Sequence, residues 1–336
     1  MSAMKIALAY NLKEKDETKP ADYFSEFDSQ ETINAITLAL EKQGHDVLGV
    51  NVGQADLFSY FRKNPADIVF NIAEGRKGKF RESEVPAVLD FLNIPYTGSN
   101  TFSLALALNK ALTKRLLRSE NIPTPAFQVF FKGNEELNPN LKFPLIVKPN
   151  REGSAKGIEI SNVVYTKDFL YDKIRQIIDI YRQEVLVEEF IEGREITVGI
   201  LENGCAKILP ILEIDFSSCR HTGEYFYSWR MKEYQGNVEF GLLPLLVCPA
   251  HLDRETEDLI KGVALKTHRL MGCFDFSRID IRLNKDNIPY VLEINPLPGL
   301  NPKESNFPLM AYAAGMNYDD LIGAILTSAS ERIGLN

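Results

Sequence analysis

Phe276-Ser277-Arg278-Ile279-Asp280-Ile281-Arg282-Leu283, followed after Asn284-Lys285-Asp286-Asn287 by Pro289-Tyr290-Val291-Leu292-Glu293-Ile294-Asn295, decides how this chain is read. The first run alternates polar and apolar, so Arg278, Asp280 and Arg282 share one face while Ile279, Ile281 and Leu283 take the other. The second run alternates again and puts Glu293 beside Asn295, completing a hairpin. Two carboxylates and an amide then converge on one edge. Oxygen donors of this kind suit magnesium, which takes one or two carboxylates, keeps waters and lets substrate phosphates complete its octahedron. With Arg278 beside them, Asp280, Glu293 and Asn295 read as a magnesium-nucleotide site. An exposed hairpin with solvated charges would carry the same letters, so the remaining sequence must decide.

Composition narrows the classes. The chain has 336 residues and 45% hydrophobic content, enough for two or three domains with ordinary cores. Its 38 basic and 46 acidic residues give a net charge of -8, which argues against a nucleic-acid surface and favours a small ligand such as a nucleotide. Cys205, Cys219, Cys248 and Cys273 show no C-x-x-C spacing and the four histidines are scattered, so neither zinc nor a disulfide framework is indicated. The apolar run Ile6 to Tyr10 is too short for a signal peptide, and Phe240 to Ala250 is too short and proline-broken to span a bilayer. The expectation is a cytoplasmic protein with reduced thiols and no membrane partner.

Three units follow from the periodicity. Residues 1–108 read as a Rossmann-like α/β unit with a doubly wound parallel sheet: a strand over Lys5 to Tyr10, a helix over Asp28 to Gln43, a strand over Asp67 to Ile72, a helix over Glu82 to Leu92 and a return at Ile94 to Gly98. Asp28 and Glu31 have capping-box spacing. A helical stretch carrying Leu104, Leu108, Leu112 and Leu116 leads to the breaker Asn121-Ile122-Pro123-Thr124-Pro125. Residues 109–191 then read as an α+β unit, with strands over Ala126 to Phe131, Phe143 to Pro149, Gly157 to Val163 and Glu184 to Glu189, and a helix over Lys167 to Tyr181. Residues 192–336 form a second α+β unit. There Ile196 to Leu201 and Ala206 to Asp215 pair around Asn203-Gly204, a helix starts at Asp253, the acidic hairpin follows, and a last helix runs from Asp319.

No G-x-x-x-x-G-K-[ST] run is present, so a P-loop is excluded as the phosphate grip. The strand Leu145-Ile146-Val147-Lys148-Pro149 instead delivers a lysine just before Arg151-Glu152-Gly153-Ser154-Ala155-Lys156-Gly157, where ammonium and backbone N–H groups can meet phosphate oxygens. A plain hairpin loop would also use those glycines. Further on, Val185 to Ile191 is an apolar strand that turns polar: a base can dock on Phe190 and Ile191 and pair with backbone groups, while Glu195 can accept from sugar hydroxyls. A buried strand ending in an acidic turn is the plainer alternative.

The ordered set is more specific than its parts. Lys110, Leu145 to Gly157, Glu188 to Glu195, Arg278 to Asp280 and Glu293-Ile294-Asn295 together resemble the ATP-grasp superfamily, and most closely the D-alanine–D-alanine ligase family. Asn71-Ile72-Ala73-Glu74-Gly75, Val85-Pro86, Pro95-Tyr96-Thr97-Gly98-Ser99 and Asn109-Lys110 look like that family's N-terminal landmarks, so the resemblance covers nearly the whole chain. It implies an ATP cleft between the two α+β units, with Lys110 and Lys148 on phosphates, the hinge Glu188, Glu189, Phe190 and Ile191 on adenine and Glu195 on ribose. Asp280, Glu293 and Asn295 would carry two Mg2+ ions, with Mn2+ as a substitute. It also implies a carboxylate–amine ligase that joins two amino acids through an acyl phosphate and releases ADP and phosphate. Arg278 and the Gly299 N–H match the family's oxyanion donors, Lys232 in the segment Phe226 to Tyr234 matches a closing-loop lysine, and Ser154 belongs to the associated network. A homodimer through the N-terminal unit is part of the same implication.

The departures cluster at the amino-acid end. Tyr10-Asn11-Leu12-Lys13-Glu14-Lys15-Asp16 replaces the family's glycine- and serine-rich loop, whose glutamate holds the first substrate's ammonium, leaving Glu31 as a positional stand-in. Glu233 stands where a tyrosine commonly follows the closing-loop lysine. The run Asn295 to Ser305 is one residue longer than usual, so Ser305 or Asn306 is expected to take the second substrate's carboxylate, and Lys303 is a further cation in that loop. Dipeptide formation from two D-alanines is the leading expectation. The same split would be shown by related ligases acting on other amino acids in small-molecule pathways, such as those making mycosporine-like compounds. A non-catalytic ATP-binding module is the remaining alternative.

Overall fold

The structure, a computed structural model, describes residues 2–14, 16–203 and 205–335. Its first sheet has three parallel strands in the order β2-β1-β3, formed by β1 (Lys5–Tyr10), β2 (Asp46–Asn51) and β3 (Ile68–Asn71). The helices α1 (Gln30–Lys42), α2 (Leu57–Lys63) and α3 (Glu84–Leu92) connect and cover it. Pro95 to Thr97 extends the sheet beside β3, with Val69 N–H donating to Pro95 at 2.8 Å and Thr97 N–H donating to Val69 at 2.9 Å. From Ile6 to Ala9 the central strand β1 is apolar and buried because both its faces are covered, as a buried parallel strand requires.

Helix α1 begins one residue later than the capping-box reading implies. Ser29 is its N-cap and accepts from the Thr32 N–H, so Asp28 and Glu31 form no capping box. Asp28 instead pairs its backbone with the loop after β1, donating to Asn11 O at 2.9 Å and accepting from Lys13 N–H at 2.8 Å. The leucine-rich stretch is two helices, α4 (Thr101–Leu108) and α5 (Lys110–Ser119), broken at Asn109, whose side chain caps the second.

A four-stranded sheet in the order β4-β7-β5-β6 follows, from β4 (Phe127–Phe130), β5 (Leu145–Pro149), β6 (Val163–Val164) and β7 (Val185–Glu189), backed by α6 (Lys167–Tyr181). The strand expected over Gly157 to Val163 is absent there: Ile160–Asn162 is a short 3-10 turn and only Val163–Val164 pairs with β5. Asn162 explains the difference, since its amide bonds both Val147 O at 2.6 Å and Gly157 O at 2.7 Å and so folds the segment into a corner.

The third sheet runs β11-β10-β8-β12-β13, with β9 pairing β8, from β8 (Arg194–Asn203), β9 (Cys205–Ile208), β10 (Leu212–Asp215), β11 (Leu245–Val247), β12 (Phe276–Leu283) and β13 (Pro289–Asn295). Leu209-Pro210-Ile211 splits the expected Ala206 to Asp215 strand, and the Asn203-Gly204 turn falls on Gly204, outside the described residues. The remaining helices are α7 (Trp229–Glu233), α8 (Arg254–Leu270), α9 (Asn306–Ala313) and α10 (Tyr318–Ile333). One core cluster joins Ile6, Leu8, Ile36 and Phe70 of the first unit to Phe307, Leu321 and Ile325 of the last two helices. The first sheet is thereby fixed against the unit that carries the acidic hairpin. Among the described residues no helix is long and apolar enough to cross a membrane.

Candidate active site

The hairpin β12–β13 sets Arg278 opposite Asn295 and Asp280 opposite Glu293. Strict alternation along β13 would have placed Glu293 on the same face as buried Val291. The register instead shifts between Asp280 and Ile281, so Leu292 is an extra residue and the strand bulges. This bulge lets Val291 and Ile294 both enter the core while Glu293 and Asn295 face the cleft.

Facing carboxylates on adjacent strands repel, and cations offset that here. Arg278 grips Asp280 with Nε at 2.9 Å from Oδ1 and an Nη at 2.7 Å from Oδ2. Asn295 donates to the same Oδ2 at 2.9 Å and Thr197 donates to Oδ1 at 2.7 Å. Glu293 pairs with Lys110 at 3.1 Å, and Lys110 also donates to Glu152 O at 2.6 Å. Burial opposes the Glu293 charge, but Lys110 and then Lys148 outweigh it and bring its pKa down to about 2. Burial likewise opposes the Arg278 charge, and Asp280 reverses the balance, raising its pKa. Two carboxylates and an amide at one sheet edge are a hard-oxygen set that fits magnesium. Asp280, Glu293 and Asn295 are the residues that would hold it.

At the other end of the cleft, Lys148 on β5 bonds Glu188 on β7. The second Glu188 oxygen lies 2.8 Å from Lys114 of α5, a residue the motif reading missed. Lys114 stands four residues after Lys110, hence on the same helix face, and that spacing was the available signal. Its side chain is fully buried, and desolvation lowers its pKa to about 8 despite Glu188. Glu188 therefore meets two lysines, which leaves one buried cation in surplus for a phosphate. The carboxylate itself is taken, so any adenine contact from this residue must come from its backbone.

The hinge carries an aromatic cluster capped by an arginine. Phe190 packs edge-on against Tyr225 and Phe226, and the Arg282 guanidinium lies 5.0 Å from its ring centre. Arg282 also donates to Ile191 O and to Glu195, both at 3.1 Å. Burial raises the Glu195 pKa although Arg282 works the other way. Glu189 turns outward and accepts from Lys142 N–H at 2.9 Å.

The loop after β5 is held closed. Ser154 and Ala155 adopt left-handed backbone angles, with φ of 51° and 56°. Lys232 of α7 donates to Ser154 Oγ at 3.0 Å, so the closing segment and the glycine loop meet directly. Burial, followed by the charge of Arg278, lowers the Lys232 pKa. The chain between β1 and α1 supplies the remaining ties, with Lys15 outside the described residues. Lys13 pairs with Glu233 at 2.8 Å, Trp229 donates to Ser25 Oγ at 2.8 Å, and Glu26 accepts from Gly153 N–H at 2.7 Å. Glu26 also bonds Arg81, which reaches Arg151 O at 2.8 Å. No motif announced Glu26 or Arg81, because their partners lie more than fifty residues away in sequence. The Gly153 N–H is thus committed to Glu26 rather than open to phosphate.

At the amino-acid end, Gly299 packs so tightly on Ser305 that an added Cβ would lie 2.8 Å from its Oγ. Ser305 Oγ accepts from Asn301 N–H at 3.0 Å, and buried Asn306 Oδ1 has no partner among the described residues. Glu31 is exposed and pairs with Lys303 at 2.7 Å. The structure thus brings Lys110, Arg278, Asp280, Glu293 and Asn295 together directly and joins Lys232 to Ser154. It ties Glu31 and Glu233 to lysines instead.

A parallel α/β unit followed by two antiparallel sheets, one carrying Lys148 and the other the acid–amide ribbon, is the architecture of an ATP-grasp enzyme. Residues 116–327 match the family described as D-ala D-ala ligase C-terminus. The chain is 34% identical over 307 residues to the D-alanine–D-alanine ligase of Carboxydothermus hydrogenoformans, covering 89% of this chain and 92% of that protein. An uncharacterized Sinorhizobium fredii protein, y4sG, is 34% identical over 309 residues, covering 89% and 87%. The crystal structure of D-alanine–D-alanine ligase from Bacillus anthracis complexed with ATP is similar at a TM-score of 0.75 and 27% identity, covering 98% of both chains. The chain belongs to the D-alanine–D-alanine ligase family.

Proposed function

We propose that this chain is an ATP-dependent ligase that joins the carboxylate of one amino acid to the amine of another and releases ADP and phosphate. One observation carries the reading: Arg278, anchored on both oxygens of Asp280, shares the cleft with Lys232, Lys110 and Glu293. Pure nucleotide binding does not require an arginine at that point. An acyl-transfer step does, because charge develops on the carbonyl oxygen, and a pre-oriented guanidinium stabilises it without reorganising.

Lys110, Lys148 and the surplus charge on Lys114 draw the triphosphate in, and the Phe190–Arg282 pair receives its base. Magnesium held by Asp280, Glu293 and Asn295 would neutralise phosphate charge and orient the phosphoryl group. Lys232 approaches from the closing segment, and its bond to Ser154 ties that segment to the glycine loop, which Glu26 holds through the Gly153 N–H, excluding water. Arg278 and the Gly299 N–H are the donors assigned to the oxyanion. Joining two D-alanines, the pair that names the Carboxydothermus hydrogenoformans and Bacillus anthracis ligases, is the first to test. Other amino acids are a second reading, favoured by the Glu31–Lys303 and Lys13–Glu233 pairs, which occupy groups expected at the substrates.

We assign the activity to the cytoplasm, consistent with four free cysteines. A homodimer through the N-terminal unit fits exposed Phe58, Phe91 and Phe102, which are 42%, 70% and 71% accessible. Light scattering checks that assembly. The activity test is ADP release over pairs of amino acids with mass detection of the product. Tight ATP binding without turnover of any pair would leave only a binding module.

A further inference from the structure

A cavity of about 330 Å3 opens where four segments meet: the chain between β1 and α1, the turn after β3, the glycine loop and the end of α6. It shares no lining residue with the hairpin β12–β13 or with Lys110, Lys148 and Lys232. Seven of its fourteen lining residues are Lys or Arg and only two are Glu, in a chain whose net charge is -8. The cavity thus reverses locally the field that the molecule presents as a whole.

The acids in reach do not balance these cations. Glu26 and Glu152 take Arg81 and Lys156, with Lys156 2.8 Å from Glu152 and Arg81 bonded to both carboxylates. Glu184, just before β7, is divided between Arg151 at 2.6 Å and Lys79 at 3.3 Å. The Arg76 guanidinium bonds carbonyls only, donating to Val52 O at 2.8 Å and to Ala55 O. Arg182 has one carboxylate, Asp179, at 3.8 Å, and both of those side chains stand in solvent. Exposed Lys77 has no hydrogen-bond or ion-pair partner among the described residues. Seven cations are therefore met by four carboxylates, and the nearby Asp22 is occupied by the Tyr181 hydroxyl.

The uncommitted charge comes from both sides of a junction, with Lys77 and Lys79 on the first unit and Arg182 on the central one. A phosphate group suits such a set, since it brings about two charges and three acceptor oxygens where a carboxylate brings one charge. Tyr23, Phe27 and Tyr181 complete the lining with aromatic surface for an organic portion. We propose that this cavity binds a phosphate-bearing anion, distinct from the nucleotide of the cleft, that ties the first unit to the central one. Because Arg151, Glu152 and Lys156 of the glycine loop belong to the same wall, an anion seated there also holds that loop in its closed position. The proposal goes beyond the ligase reading and does not depend on it.

The test is calorimetry on the full chain, its cleft filled with magnesium and a non-hydrolysable ATP analogue. Inorganic phosphate and phenyl phosphate are titrated in, with chloride at equal ionic strength as the control. One phosphate-bearing anion per chain is expected, with no saturable heat from chloride. Lys77→Glu and Arg182→Glu, both at exposed positions, should each weaken that binding by about tenfold or more. A Lys148→Met chain without nucleotide should still bind the anion. Tighter binding of phenyl phosphate assigns the site to an organic phosphate and equal binding assigns it to free phosphate, and either supports it. At ten times its dissociation constant, the bound anion should slow proteolytic cutting between residues 151 and 157 by about tenfold. No saturable binding to the wild type, unchanged affinity in both charge-reversal variants, or binding lost in Lys148→Met overturns the site. An unchanged cutting rate overturns its hold on the loop.

Discussion

Replacing Glu293 by glutamine keeps the shape of the side chain and removes the charge that the site is organised around. The carboxyl pKa drops from 4.5 to about 2, with burial opposing ionisation and Lys110 and Lys148 prevailing. A depression of that size corresponds to about 3 kcal/mol of stabilisation at neutral pH. A group whose folded pKa lies below its unfolded value contributes fully above the unfolded pKa and loses that contribution as pH falls through the folded one. The stability gap between wild type and Glu293→Gln should therefore be about 2–4 kcal/mol at pH 7 and narrow progressively below about pH 4.5. Ligation should fall at least about 100-fold, because one magnesium ligand and the anchor of Lys110 are lost together. Urea unfolding at several pH values and ADP release at saturating magnesium measure the two effects. Unchanged stability at pH 7 with wild-type turnover would refute both the Lys110 pairing and the ligand role.

Lys114→Met should raise the KM for ATP by about tenfold, since it removes the cation that leaves the Glu188 pair positively charged. Its folded pKa of about 8 lies below the unfolded 10.5, so the wild type gains stability between those pH values and the variant should lack that gain in urea titrations. Glu26→Gln should lower kcat by about 10- to 100-fold and speed proteolytic cutting between residues 151 and 157, because the Gly153 and Arg81 ties hold that loop shut. Equal cutting rates would show the loop to be held by other contacts. Deleting Leu292 should leave magnesium-dependent turnover largely intact, because Val291, Glu293, Ile294 and Asn295 then alternate regularly, with Val291 and Ile294 in the core and Glu293 and Asn295 toward the cleft. Loss of turnover in a folded deletion variant would contradict the register.

The lysine-bearing strand, the hinge strand and the acidic hairpin were legible because their demands are local in sequence. A lysine closing β5, an apolar strand ending at Phe190 and a hairpin with polar residues in alternate positions each show in a short window. The bulge escaped because alternation cannot say on which side of Leu292 the phase slips. Only the need of both Val291 and Ile294 for the core decides it. Lys114 was overlooked for a different reason: among leucines and arginines it looks like a solvated helix residue, and its burial follows from Glu188, seventy-four residues further on. The strand expected at Gly157 to Val163 failed because Asn162 bonds two backbone carbonyls, a competition with pairing that apolar content does not register.

The amino-acid end depends on tertiary neutralisation, which no spacing encodes. Glu31 had the position expected of an ammonium holder, and the structure leaves it exposed and paired with Lys303. Glu26 faces inward but is saturated by Arg81, Lys156 and Gly153. Whether a carboxylate here is left open to a substrate depends on whether a distant segment supplies its cation, a property of the folded charge balance. Two proteins that share the ATP-facing motifs can thus differ in the acid they accept through a few charges whose partners are supplied or withheld by distant segments.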